Sequence, residues 1–166
     1  MSTDIAQLSE LMAEEAGIFR NMIDALEVEK EAALKADLDA LVDSRLDKEA
    51  CVDRLKATAT RKASVVEQVA GALQAPSGIY TFEALLEFMD TGSTGELRVI
   101  RDEISSLAKI ADSKNRENAT YLEHGMKMAR SSLALVENIC NPQTVYRKTG
   151  QVDPGRPTGR LLSTSY

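Results

Sequence analysis

From Leu97 to Ile139 apolar residues recur at steps of three, four or their sums, and no proline interrupts them. The series reads Leu97, Ile100, Ile104, Leu107, Ala111, Asn118, Leu122, Gly125, Met128, Leu135 and Ile139, with Asn118 and Gly125 its unusual members. Only the 3.6-residue period of an α-helix keeps such positions on one face. A helix over residues 96–140 would be about 65 Å long at roughly 1.5 Å per residue. One narrow apolar stripe cannot be buried by the helix that carries it, so it must pair with others. This excludes sheet-based folds and demands partner helices of similar length.

The rest of the chain supplies them. Ile5, Leu8, Met12, Phe19, Ile23, Leu26 and Ala33 share one face after the capping group Ser2-Thr3-Asp4, which predicts a helix over 4–35. Asp37 suits the N-cap of a second helix over 38–74, whose stripe runs through Leu38, Leu41, Val52, Leu55, Ala59, Val66, Val69 and Leu73. That stripe is thin at Arg45 and Lys48, and one continuous helix through Asp37 is the alternative. Gly71 and Ala75-Pro76-Ser77-Gly78 end the segment. Thr81 caps a short helix over 80–90, residues 91–95 read as a loop, and Ser93 with Glu96 fits a capping box for the last helix. Short connections favour antiparallel neighbours. The expected fold is all-α: an elongated antiparallel helical bundle or coiled coil over residues 1–140. After Asn141-Pro142, prolines and glycines crowd a segment poor in apolar residues, which predicts a disordered tail over 141–166.

Composition narrows the function. Aromatics make up 4% of the chain and tryptophan is absent, so the core is aliphatic. The net charge is −6. The tail carries Arg147, Lys148, Arg156 and Arg160 against Asp153, a net of +3, which leaves −9 on the body. An acidic body does not suit nucleic acid, whose phosphates need a basic surface. The tail is too sparsely charged to hold a membrane, and no run has the length of a membrane span or a signal peptide. Cys51 and Cys140 form no C-x-x-C pair, and a cytoplasmic location with reduced thiols is expected.

No catalytic constellation emerges, and neither an enzyme nor a cofactor or metal is expected. His124 is the sole histidine, with no cysteine cluster to join it. His124-Gly125-Met126-Lys127 is loosely similar to histidine phosphotransfer domains, which are also four-helix bundles, but the Gly-Ser-Ser run of that motif is broken here. Asn115 and Asn118 are candidates for a polar layer, since a buried asparagine fixes helix register. A structural coiled coil that dimerises is a further alternative.

Several stretches, in order, resemble the FlgN family of flagellar export chaperones. Leu34-Lys35-Ala36-Asp37-Leu38-Asp39-Ala40-Leu41 is similar to the break between the family's first two helices, followed by Lys48-Glu49. Asn115-Arg116-Glu117-Asn118 matches an Asn-x-x-Asn in the last long helix. Residues 143–151 look like the tyrosine-containing turn that opens the family's tail, and Gly159-Arg160-Leu161-Leu162-Ser163 resembles its end. Arg147 and Thr149 depart from the Gly and Asp of that turn. The resemblance implies a chaperone without catalytic activity. Its partners would be the C-terminal helical segments of hook–filament junction proteins, and the cytoplasmic domain of the export gate. The resemblance assigns Tyr146 to the gate. The exposed-stripe reading gives the cargo Leu122, Met128, Leu135 and Ile139, with Val145, Leu161 and Leu162 of the tail; core packing is the alternative for the four helix positions.

Overall fold

The computed structural model describes residues 2–75, 81–89, 91–140, 144–146 and 152–154. The chain is all-α in its body: α1 (Ser2–Lys35), α2 (Leu38–Ala72), α3 (Phe82–Phe88) and α4 (Thr91–Cys140). Two compact units divide it, residues 1–121 and 122–166, and α4 contributes to both. No helix among the described residues is long and apolar enough to cross a membrane.

The first two helices are separate. Asp37 caps α2 by accepting the Ala40 amide at 3.1 Å, as its residue type suggested. The end of α1 is closed by paired bonds, Asp37 N–H to Ala32 O and Ala36 N–H to Ala33 O. This Schellman pattern forces Ala36 to φ 54°, a conformation that glycine occupies without steric cost. α2 ends the same way, with Ala75 N–H to Ala70 O, Gln74 N–H to Gly71 O, and Gln74 at φ 52°. Ala36→Gly should therefore stabilise the fold by about 0.5–1 kcal/mol, the left-handed strain relieved exceeding the entropy that glycine adds to the unfolded chain. A raised urea midpoint with unchanged slope checks this.

The α1–α2 hairpin packs through small residues. Ser44, Cys51, Thr58 and Val65 of α2 are buried at seven-residue steps. Opposite them α1 buries Ala16, Ile18, Ala25 and Ala32. This corrects the expected α2 stripe: Val52 and Leu38 are exposed, and small polar side chains hold the seam. Short side chains let two backbones approach, and those of α1 and α2 run within 8 Å of each other. Burial pushes the Cys51 thiol pKa up, which keeps it protonated.

The seam also carries two lysines, and both are answered. Lys48 pairs with Glu29 and Lys62 with Glu15, each at 2.5 Å, and all four side chains are largely buried. Both pairs obey one antiparallel register. Of the two positions at which the α2 stripe looked thin, Lys48 is thus a seam residue, whereas Arg45 is exposed.

The apolar core lies at the other end of the hairpin. Leu8, Leu11 and Met12 of α1 meet Val65, Val66 and Val69 of α2, Phe82, Leu85 and Leu86 of α3, Met89, and Leu97 of α4. Thr81 caps α3 by accepting the Ala84 amide at 3.2 Å. α4 begins at Thr91, so the loop expected over 91–95 is helical and Ser93 is not its cap. Tertiary contacts override the glycines: Thr94 and Leu97 are buried, and Arg98 donates to Leu86 O at 2.7 Å.

Within the first unit α4 runs parallel to α1. Lys30 pairs with Glu117 at 2.9 Å, Arg20 with Glu103, and Lys114 with Glu27. Leu97, Ile104, Ala111 and Asn118 face inward at seven-residue steps, Ile104 half-buried and the others buried. In the second unit the described residues outside α4 form a two-stranded antiparallel ladder, Thr144–Tyr146 with Val152–Pro154. The tail expected to lack structure thus holds one short strand pair; its other residues lie outside those described.

Candidate functional site

Asn118, midway along α4, is a buried polar residue, 1% exposed. Its Nδ2 donates to Leu26 O at 2.7 Å and to Glu29 Oε2 at 2.9 Å, while Glu29 Oε1 receives Lys48 Nζ. One carboxylate thus ties α1, α2 and α4 together. Asn115 is exposed and lines a groove, so of the two candidates for a polar layer only Asn118 is buried. Glu29 was missed by sequence reasoning; its signal is the fourteen-residue spacing that Glu15–Glu29 shares with Lys48–Lys62.

Above this node α4 and α1 meet again in a charged cluster. Lys30 donates to Glu117, which also accepts from the Tyr121 hydroxyl at 3.3 Å, and the Lys30 ammonium stands 5.7 Å from the Tyr121 ring. The hydrogen bond from Lys30 holds the Glu117 pKa below its ordinary value, and the bond to Glu117 raises that of Lys30. The pair's contribution is therefore present at neutral pH. It is lost in acid as pH falls through the lowered Glu117 pKa, and in alkali as pH rises through the raised Lys30 pKa.

Beside the node, α1, α2 and α4 enclose an open groove of about 690 Å³. Phe19, Met22 and Leu26 form its floor; Arg45, Val52 and Lys56 stand on the α2 side, and Ala108, Ala111 and Asp112 on the α4 side. Its cause is the spacing of the helices. The α4 backbone stays mostly beyond 8 Å from those of α1 and α2, and Ala108 and Ala111 are too short to fill the gap.

The second unit presents a different surface. Leu122 is half-buried, whereas Met128 is 73%, Leu135 61% and Ile139 70% exposed. Core packing, the alternative for these positions, does not occur at the last three. Met126, Leu133 and Val136 are exposed too, and on a helical projection they widen the apolar arc to about half of the circumference. Sequence reasoning missed these three because it followed a single stripe. Glu123, Lys127, Arg130 and Glu137 occupy the other side, where His124 is also exposed.

The tail candidates are placed by backbone alone. Val145 pairs with Asp153 and Tyr146 with Val152 in the strand ladder. Leu161 and Leu162 lie outside the described residues. Among the described residues no group of three or more His, Cys, Asp or Glu side chains could hold a metal ion.

A family model described as FlgN protein matches residues 1–154. No curated protein and no solved structure matches the chain.

Proposed function

The chain belongs to the FlgN family of flagellar export chaperones, and from that premise we propose that it binds the C-terminal helical segment of hook–filament junction proteins in the cytoplasm and delivers them to the export gate. The observation that carries this reading is the apolar arc of α4 between Met126 and Ile139, exposed along its whole length. An amphipathic segment that is buried only after assembly needs a cover of this kind until then. Helix-on-helix contact supplies one, and methionines adapt to different partners. Ordering the segment costs free energy, which keeps affinity modest and release feasible. In this reading Leu122, Met128, Leu135 and Ile139 contact the cargo, Val145, Leu161 and Leu162 extend the contact, and Tyr146 docks on the gate as a stiff aromatic anchor.

The test is a calorimetric titration of the full chain with a junction subunit's C-terminal peptide. Saturable binding is expected, and no binding would overturn the reading. A chain truncated after Asn141 should bind more weakly; equal affinity would remove the tail from the cargo site. Tyr146→Ala should leave melting and cargo binding unchanged while gate binding and export fall. Unchanged export would remove Tyr146 from the docking step.

A further inference from the structure

The apolar arc of residues 122–140 is two stripes side by side. Met128, Leu135 and Ile139, with Gly125 and Ser132 between them, repeat at steps of three and four. So do Leu122, Met126, Ala129, Leu133, Val136 and Cys140, a stripe half-buried at Leu122 and exposed from Met126 onward. Such spacing is the seam of a coiled coil, and one partner helix covers one seam. Only the second stripe has charges along its outer edge. Glu123, Arg130 and Glu137 form a row at seven-residue steps. That row stands about 50° around the helix from Met126 and Leu133, and Lys127 about 50° further round, off the contact. The outer edge of the first stripe holds no Asp, Glu, Lys or Arg, only His124, Ser131 and Asn138. We propose that the second stripe docks an amphipathic helix of another protein, whose flanking row reads basic, acidic, basic at the same seven-residue step.

The row is unanswered: among the described residues the side chains of Glu123, Arg130 and Glu137 make no ion pair or hydrogen bond. The first unit shows what happens to such charges when a helix lies alongside. There Glu103 and Glu117 of α4, fourteen residues apart, are met by Arg20 and Lys30 of α1, and Lys114 is met by Glu27. The sign order of the row disfavours a second copy as occupant. Antiparallel, with the stripes in full overlap, Glu123 comes level with the other copy's Glu137, and Arg130 with its own counterpart. Parallel, the row faces Gly125, Ser132 and Ile139, which return no charge. A slide of one heptad pairs opposite signs but takes a heptad of the stripe out of the contact. A helix reading basic, acidic, basic answers all three charges with the whole stripe covered, in either direction, because the order is the same both ways. Edge charges of this kind decide which helix is accepted more than how tightly it is held. Of the cargo positions on α4 only Leu122 lies on this stripe, so the docking goes beyond the cargo reading.

Fluorescence anisotropy of the full chain with a labelled synthetic peptide tests this. The probe has three heptads, leucine at both stripe positions, and Lys, Glu, Lys along both flanking rows. A control peptide carries Glu, Lys, Glu instead. The chain should bind the probe about tenfold or more tightly than the control, and the gap should narrow as salt rises. Glu123→Lys, Arg130→Glu and Glu137→Lys together should invert the preference. Leu133→Asp should remove it, while Met128→Asp, on the other stripe, should leave it intact. All five residues are exposed, and circular dichroism confirms that each variant stays folded. Equal affinity for the two peptides, a preference that the triple variant does not invert, or one lost in Met128→Asp and kept in Leu133→Asp would each overturn the proposal. So would dimerisation of the chain alone, seen by sedimentation velocity and removed by Leu133→Asp, since a second copy would then be the occupant. The peptides carry no junction-protein sequence, so these outcomes are independent of the cargo reading.

Discussion

Glu29→Ala should lower the unfolding free energy by about 3 kcal/mol, the largest loss expected from any single polar substitution in this chain. The carboxylate is 6% exposed and answers two donors from two helices, the Lys48 ammonium and the Asn118 amide. Alanine removes neither donor. It leaves a largely buried cation without its anion and Asn118 with only the Leu26 carbonyl. The full desolvation penalty of both groups is then exposed. Replacing Glu29 and Lys48 together by leucine should cost far less, because no buried charge is left behind. Urea denaturation of Glu29→Leu, Lys48→Leu and the double variant gives the coupling. A Glu29→Ala loss below about 1 kcal/mol would show that the node does not hold α4 to the hairpin.

The second large effect is on binding. Leu135→Asp with Ile139→Asp should reduce affinity for the cargo peptide at least about a hundredfold, because each carboxylate would be buried against an apolar helix in the complex. The free protein should melt as before. Both side chains are more than half exposed, so their replacement removes no core contact. Calorimetry and a thermal melt on the same sample separate the outcomes. A melting temperature lowered by several degrees would mean that this face is packed in the free protein; full affinity would move the cargo elsewhere.

How much of this was legible in the sequence depends on what each residue reports. Asp37 and Thr81 acted locally, and a cap needs only its own next three residues, so the starts of α2 and α3 were readable. The start of α4 was not, because Thr94 and Leu97 are held by α3 and the core, which lie elsewhere in the chain. The α2 seam was hidden for a related reason. Hydropathy marks Val52 and Leu38, yet close packing against Ala25 and Ala32 selects Ser44 and Cys51 for their size. Glu29 was invisible to any reading of α1 alone, where it looks like one more solvated acid. The apolar series beyond Leu122 was found from its spacing. Its exposure was not, since periodicity states which residues share a face and not whether anything covers it.

The two lysine–glutamate pairs of the hairpin have a consequence beyond the free energy they contribute. A seam of small residues repeating every seven positions looks almost the same to itself after a slide of one heptad. Apolar contacts alone would tolerate several such alignments. The charges do not. Sliding one way would set Glu29 against Leu41, Lys48 against Met22, Glu15 against Leu55 and Lys62 against Leu8; sliding the other way would set them against Leu55, Ala36, Val69 and Met22. In either misalignment all four ions would be stranded on apolar side chains. The hairpin thus carries a vernier: two marks of each sign, equally spaced, that coincide in one alignment and reject its nearest neighbours.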